Sequence, residues 1–281
     1  MKNFFLCFFS LVLVIETKAL PDPKSLLVAK ASPVVAVIDT GVDIEHELLK
    51  HDIWTNPGEI PGNNLDDDKN GFVDDIHGWD FSQNTNQLID HIGHGTHIAG
   101  IISQNTSKVQ LMVLKFINSP SHGNGSIEAT VKAINYAIRM KAQIINYSAG
   151  GLSPNEEERA AIYRALEQNV LFVAAAGNHG QDNDLIGYFP ASYNLPNIVS
   201  VAALQSNRRL LDSSNFGPKT VHLAAPGYNI YSSLPNNRFG WMSGTSQATA
   251  FVTAMASETL LKAKNKLSAT ALKETVIRPA R

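Results

Sequence analysis

From residue 33 onward the chain alternates short apolar runs with longer stretches whose apolar residues recur every three or four positions. The runs at 34–39, 109–116, 143–148, 170–176, 197–204 and 221–225 are mostly continuous, as strands covered on both faces are. Between them, Ile127, Val131, Ile134 and Ile138 fall on one helical face over 126–140, with Ser126 placed to cap it. Residues 153–169 predict a second helix, opened by Ser153, Pro154 and Glu156 as a capping box with proline in the first turn. Two more helices are predicted, one starting at or just after His94 and one from near Ser246 toward Lys262. Strand–helix alternation predicts an α/β fold, with a mostly parallel central sheet and helices on both faces. Ligands of such sheets gather at the C-terminal ends of the strands. Asp39, Ser148 and Asn178 each close a predicted strand, which points to one cleft. No repeat or long linker divides 33–281, so a single domain is expected there.

The start of the chain follows another pattern. Lys2 precedes an unbroken apolar run from Phe4 to Ile15, and Ala19 precedes a proline-rich PDP at 21–23. This predicts a signal peptide over 1–19, a short N-terminal segment over 20–32, and a secreted or periplasmic protein. The run is too short to span a bilayer, so no stable membrane insertion is expected once it is removed. Cys7, the only cysteine, lies inside it. The remaining chain has no disulfide, which directs attention to bound metal as a stabiliser. A formal net charge of −2 with no basic tract speaks against nucleic acid as a partner. A monomer is expected.

Three strings carry chemistry. VVAVIDTGVD at 34–43, HIGHGTHIAG at 91–100 and MSGTSQATA at 242–250 set Asp39, His94 and Ser246 beside glycines and next to apolar runs. A fourth, VLFVAAAGN at 170–178, ends a buried strand on the amide of Asn178. Together they supply a nucleophile, its base, the acid that orients the base and a donor for a developing oxyanion. Each alone has a plainer reading. Asp39 could cap a strand end, His91, His94 and His97 could be loop and core histidines, and Ser246 could be an N-cap. An aspartic-peptidase site needs a second Asp-Thr-Gly or Asp-Ser-Gly, and none is present. A His-Glu-x-x-His zinc site lacks its glutamate.

The four strings, in this order, resemble the subtilisin-like serine peptidases, the subtilase family. The resemblance runs from about residue 33 to about 265. It includes YSAGG at 147–151, FPASY at 189–193 and APG at 225–227. It implies a subtilisin-like three-layer fold and a secreted serine endopeptidase acting on proteins or peptides through an acyl-enzyme. By this resemblance Ser246 attacks, His94 moves the proton, Asp39 holds His94, and Asn178 with the Ser246 N–H binds the oxyanion. Ser148, Ala149 and Gly150, with Gly123 and Gly125, would pair with an extended substrate. Small residues at Ala149, Ala175, Ala176 and Gly177 predict an open specificity pocket and broad specificity. Two departures stand out. Gln247 and Ala250 replace the methionine and proline that usually follow the serine, and residues 20–32 are too few for the family's pro-domain. A secreted peptide-binding pseudo-peptidase and a serine esterase stay open as alternatives.

DDDKNGFVDD at 66–75 resembles a calcium loop. Asp66, Asp68, Asn70 and Gly71 match positions 1, 3, 5 and 6, the Phe72 carbonyl is at position 7, and Asp74 is at position 9. Position 12 is His77 in place of glutamate, so Asp74 or Asp75 must compensate. Structural calcium held by Asp66, Asp68, Asn70, Phe72 and Asp74 is the expectation.

Overall fold

The structure, a computed structural model, describes residues 31–118 and 126–278. The predicted signal segment, residues 20–30, Gly123 and Gly125 lie outside the described residues. Seven parallel strands form one sheet: β1 (Val34–Asp39), β2 (Gly78–Asp80), β3 (Gln110–Lys115), β4 (Ile144–Tyr147), β5 (Leu171–Ala175), β6 (Ile198–Leu204) and β7 (Leu223–Pro226). Their order is β2-β3-β1-β4-β5-β6-β7. An antiparallel hairpin, β8 (Ile230–Leu234) with β9 (Arg238–Met242), stands apart. Among the described residues there are five helices: α1 (His94–Gln104), α2 (Ile127–Arg139), α3 (Glu156–Glu167), α4 (Thr245–Lys262) and α5 (Ala269–Ile277).

Alternation along the central strands builds two cores. Ala36 and Ile38 of β1, with Met112, Leu114, Ile145, Tyr147 and Phe172, face α2 and α3. Val35 and Val37, with Leu111, Val113, Ile144, Leu171 and Val173, face α1, α4 and α5. Both faces of the sheet are therefore covered, as the apolar runs predict. Among the described residues no helix is long and apolar enough to cross a membrane.

The strand order places the cleft. After β1 the chain leaves for the β2 edge, returns through β3 beside β1, and then crosses to β4 on the other side. The order thus reverses at β1, and the crevice at its carboxyl end is where such sheets hold ligands. Asp39 closes β1, and Ser148 follows β4, the neighbouring strand.

Helix α2 begins as predicted, with the Ser126 side chain accepting from the Ala129 N–H. Helix α3 does not. Pro154 keeps Ser153 out of helical geometry, and the cap is Asn155, whose side chain accepts from Glu157 and Glu158 N–H. Glu156, Glu157 and Glu158 then sit at the positive end of the helix. The sequence pattern missed β2, the β8–β9 hairpin and α5. β2 has only three residues, and the hairpin exposes Tyr231, Phe239 and Trp241 where a buried strand would show a continuous run.

Candidate active site

Asp39 and His94 meet across the switch point. The His94 Nδ1 lies 2.7 Å from Asp39 Oδ1, and that same oxygen accepts the Thr40 N–H at 2.8 Å. Gly95 allows the approach, since a Cβ there would stand 2.1 Å from the Gly41 carbonyl oxygen and 3.1 Å from the Asp39 side chain. Asp39 is buried, whereas the His94 side chain keeps 27% of its surface, so a substrate can reach the ring. Burial by itself would lower the His94 pKa. The Asp39 charge and hydrogen bond, with the Asp90 charge behind them, prevail and raise it above the ordinary histidine value.

Asp90 was not singled out in the sequence. Its buried Oδ1 accepts from Thr40 Oγ1 (2.8 Å), Ile92 N (3.0 Å) and Gly93 N (2.7 Å). Its Oδ2 accepts from Thr96 N (2.9 Å) and Thr96 Oγ1 (2.7 Å). Gly93, the N-cap of α1, has no side chain to cap with, so Asp90 takes the free N–H groups at the start of the helix that carries His94. Thr40 Oγ1 in turn accepts the Gly95 N–H at 2.9 Å. The available signal was an acid four residues before the histidine, at the start of a helix.

Ser246 is the second residue of α4, in the turn where backbone N–H groups lack helical partners. Its hydroxyl donates to the Ser148 carbonyl at 3.1 Å, and the Ser148 hydroxyl donates back to the Ser246 carbonyl at 3.1 Å. Beneath them, Thr253 Oγ1 donates to Asn146 Oδ1 (2.8 Å), and Asn146 Nδ2 donates to Ser148 Oγ (3.1 Å). This buried chain ties two turns of α4 to the end of β4. A serine hydroxyl has one proton. In this rotamer it goes to Ser148, and among the described residues no hydrogen bond joins Ser246 Oγ to His94.

Asn178 faces the same turn. Its Oδ1 accepts both the Thr245 N–H (2.9 Å) and Thr245 Oγ1 (3.1 Å). That commits the oxygen and leaves the NH2 as the donor end. Gly244 makes this possible at φ 152, where a Cβ would sit 3.3 Å from the Asn178 amide. Gln247, at the position where the family usually has methionine, is buried with its amide 3.9 Å from Met242 Sδ. His97 is buried too, with Nε2 toward the Ile230 and Gly240 carbonyls, and burial lowers its pKa. His91 lies in the loop before α1, exposed.

Ser148 reaches the start of α4 through its two hydrogen bonds with Ser246, and Gly177 through its N–H on Thr245 Oγ1 at 3.3 Å. Gly151 and Phe189 exchange two backbone hydrogen bonds, at 2.8 and 2.7 Å, which brings the neighbouring Tyr188 ring against Gly150 and Gly177.

The acid loop differs from its expected ligand set. Asp66 accepts the Asn70 and Gly71 N–H groups through its two oxygens. Asp74 accepts the Gly62 and Asn64 N–H groups. The Phe72 ring packs against Trp79, Phe81 and Tyr136. Glu59 holds backbone too, accepting from the Asp67, Asp68 and Asp74 N–H groups, but the carboxylates that converge are Glu59, Asp68 and Asp75, with one oxygen from each within 4.8 Å of the others. Asn70 stays with this group, donating to Asp68 and Asp75. Burial, then the charges of Asp75 and Asp68, raise the Glu59 pKa against the amides of Asp68 and Asp67, which lower it. The regular loop spacing had hidden Glu59, which lies outside the string.

With this geometry in view, comparison with known proteins is direct. The sequence model of the subtilase family matches residues 30–281. The chain belongs to the subtilase family. The major intracellular serine protease of Bacillus subtilis (strain 168) is 36% identical over 229 residues, covering 78% of this chain. Subtilisin-like protease 2 of Plasmodium falciparum is 34% identical over 231 residues. This subtilase spans 65% of the length of the first and 16% of the second. The crystal structure of a cold adapted subtilisin-like serine proteinase superposes with a TM-score of 0.70 at 28% identity, covering 85% of this chain and 79% of that one. The three-layer fold is thus the subtilisin-like one.

Proposed function

We propose that this subtilase is a serine endopeptidase that cleaves peptide bonds through Ser246, His94 and Asp39. The observation that carries the reading is the 2.7 Å Asp39–His94 contact, and the start of α4, where Ser246 and the pinned Asn178 amide sit together, supports it. With Nδ1 held by Asp39, Nε2 is the nitrogen left to act as base. A substrate N–H that takes the Ser148 carbonyl frees the Ser246 hydroxyl to turn toward His94. Ser246 Oγ then bonds to the scissile carbonyl carbon while its proton passes to Nε2. The oxyanion accepts from Asn178 Nδ2 and the Ser246 N–H. Collapse breaks the C–N bond, with the Nε2 proton going to the leaving amine. Water, deprotonated by the same nitrogen, releases the acyl group and restores Ser246. Ser148, Ala149 and Gly150 flank the substrate as an edge strand.

A fluorophosphonate should label Ser246, located by mass spectrometry, and His94→Ala should abolish labelling. Absence of both labelling and peptide cleavage would favour the peptide-binding pseudo-peptidase. Labelling with ester hydrolysis but no amide hydrolysis would favour the esterase.

We also infer structural calcium at the acid loop, held by Glu59, Asp68 and Asp75. The donor set fits: three carboxylates converge, all hard oxygen ligands, and no lysine or arginine pairs with them among the described residues. The ion would act on stability and not on the reacting atoms. Export is proposed from the Lys2–Ala19 pattern, and N-terminal sequencing of the protein recovered outside the cytoplasm tests it.

A further inference from the structure

The expected pocket beside the nucleophile is occupied by one of the chain's own side chains. In the reading above, the attacked carbonyl lies between Ser246 Oγ and Asn178, and the N–H of the same residue lies near the Ser148 carbonyl. The side chain of that residue, on the acyl side of the cleaved bond, must then enter the space between 148–150 and 176–178. A glycine on each segment borders this space, Gly150 on one and Gly177 on the other. The Tyr188 ring stands across this space. A Cβ placed on Gly150 would meet Tyr188 Cε1 at 2.5 Å and Cζ at 3.1 Å. A Cβ placed on Gly177 would meet Cγ at 2.9 Å and Cδ2 at 3.0 Å. One edge of the ring thus touches the first wall and the opposite edge touches the second.

The ring is held there. Tyr188 N donates to Ser192 Oγ (3.1 Å), Ser192 N donates to the Tyr188 carbonyl (2.9 Å), and the next residue is locked to Gly151 by two hydrogen bonds. The His179 ring lies 5.7 Å from it on the side toward solvent-exposed 178–180. The hydroxyl pKa is raised by burial alone, as expected for a ring set into protein.

We propose that Tyr188 is the specificity-determining residue of this site. It fills the acyl-side pocket, so that the preferred substrates carry glycine, alanine or serine at the residue donating the scissile carbonyl. This inference rests on the peptidase reading and reverses the breadth predicted from the small wall residues. Those glycines are small because the ring needs their space. A larger side chain can enter only by displacing the ring from its contacts on both walls.

The test compares peptides that differ only at that residue. Wild type should cleave after alanine with a kcat/KM roughly 10-fold or more above that after phenylalanine, the scale on which pockets discriminate by size. Tyr188→Gly and Tyr188→Ala should each raise kcat/KM after phenylalanine by about the same factor and change cleavage after alanine little. Two variants guard against misfolding of one, with near-UV circular dichroism as the check. A binding arm does not need turnover. On Ser246→Ala, fluorescent peptides ending in alanine should bind more tightly than those ending in phenylalanine, and adding Tyr188→Ala should invert the order. Equal or better use of phenylalanine by wild type overturns the proposal, as does failure of either arm to respond to Tyr188 replacement. Loss of turnover with the binding preference intact would instead refute the peptidase reading and leave the pocket assignment standing.

Discussion

The carboxyl edge of the sheet and the acid loop at 59–75 hold their carboxylates by different means. At the sheet edge, Asp39 sits where a buried strand ends, and its Oδ1 takes the neighbouring Thr40 N–H and orients His94 as well. In the loop, Asp66 and Asp74 each spend both oxygens on backbone amides. Glu59 does the same, with Oε1 on the Asp67 and Asp68 N–H groups and Oε2 on the Asp74 N–H, so the acids that cluster are set by where these bonds hold each carboxylate. A strand end fixes direction through long-range pairing. An irregular loop fixes it through many local hydrogen bonds, any of which can claim the side chain that the spacing assigns to a metal.

The sharpest way to break the comparison is at the sheet edge. Ser246→Ala or His94→Ala should reduce turnover on the order of 10⁶-fold, the scale known for subtilisin, and the double variant should add little. Additive losses would mean that the residues do not work as a unit. Asn178→Ala should lower kcat by about 100- to 1000-fold with KM nearly unchanged, since the amide acts on the oxyanion and not on bound substrate. An equal rise in KM would place it in substrate binding instead.

The loop is tested by removing metal. Chelation should lower the melting temperature, by an amount corresponding to about 2.7 kcal/mol if calcium had been present at 100 times its dissociation constant. Glu59→Gln and Asp75→Asn should erase the response to calcium. Asp66→Ala should destabilise the protein similarly with or without the ion, because Asp66 holds loop backbone and its oxygens are not among those that converge. If Asp66→Ala alone abolishes the calcium response, Asp66 belongs to the ion's ligand set, as the loop spacing predicts.

The smallest effect concerns Asp90. Activity requires neutral His94, so kcat/KM should rise with pH through a midpoint above about 6.5, because the folded pKa is raised. Asp90→Asn removes a negative charge that favours the imidazolium. The midpoint should therefore move to lower pH while the plateau changes modestly. A midpoint that stays or rises would limit Asp90 to holding the start of α1.

Much of this was written locally. Five of the six runs lie inside the sheet and are strands because their residues are apolar on both faces, the sixth forms the edge strand β7, and Asp39, Ser148 and Asn178 end or follow strands because polar groups must leave a buried sheet where it ends. The start of α1 at His94 and of α4 within one residue of Ser246 followed from glycines ahead of small and apolar runs. What the sequence by itself determined, then, was the α/β class and the order of the strands' chemistry, since each depends on burial patterns within single segments, and the four candidate residues came from four strings taken together and their resemblance to the subtilases. Only the tertiary structure decided that Asp90 caps the helix of His94, that Glu59 replaces Asp66 and Asp74 in the acid cluster, and that Tyr188 fills the space between two glycine walls. Those outcomes depend on which distant groups reach a given oxygen or gap first. No periodicity along one segment records a competition between groups that meet only after the chain has folded.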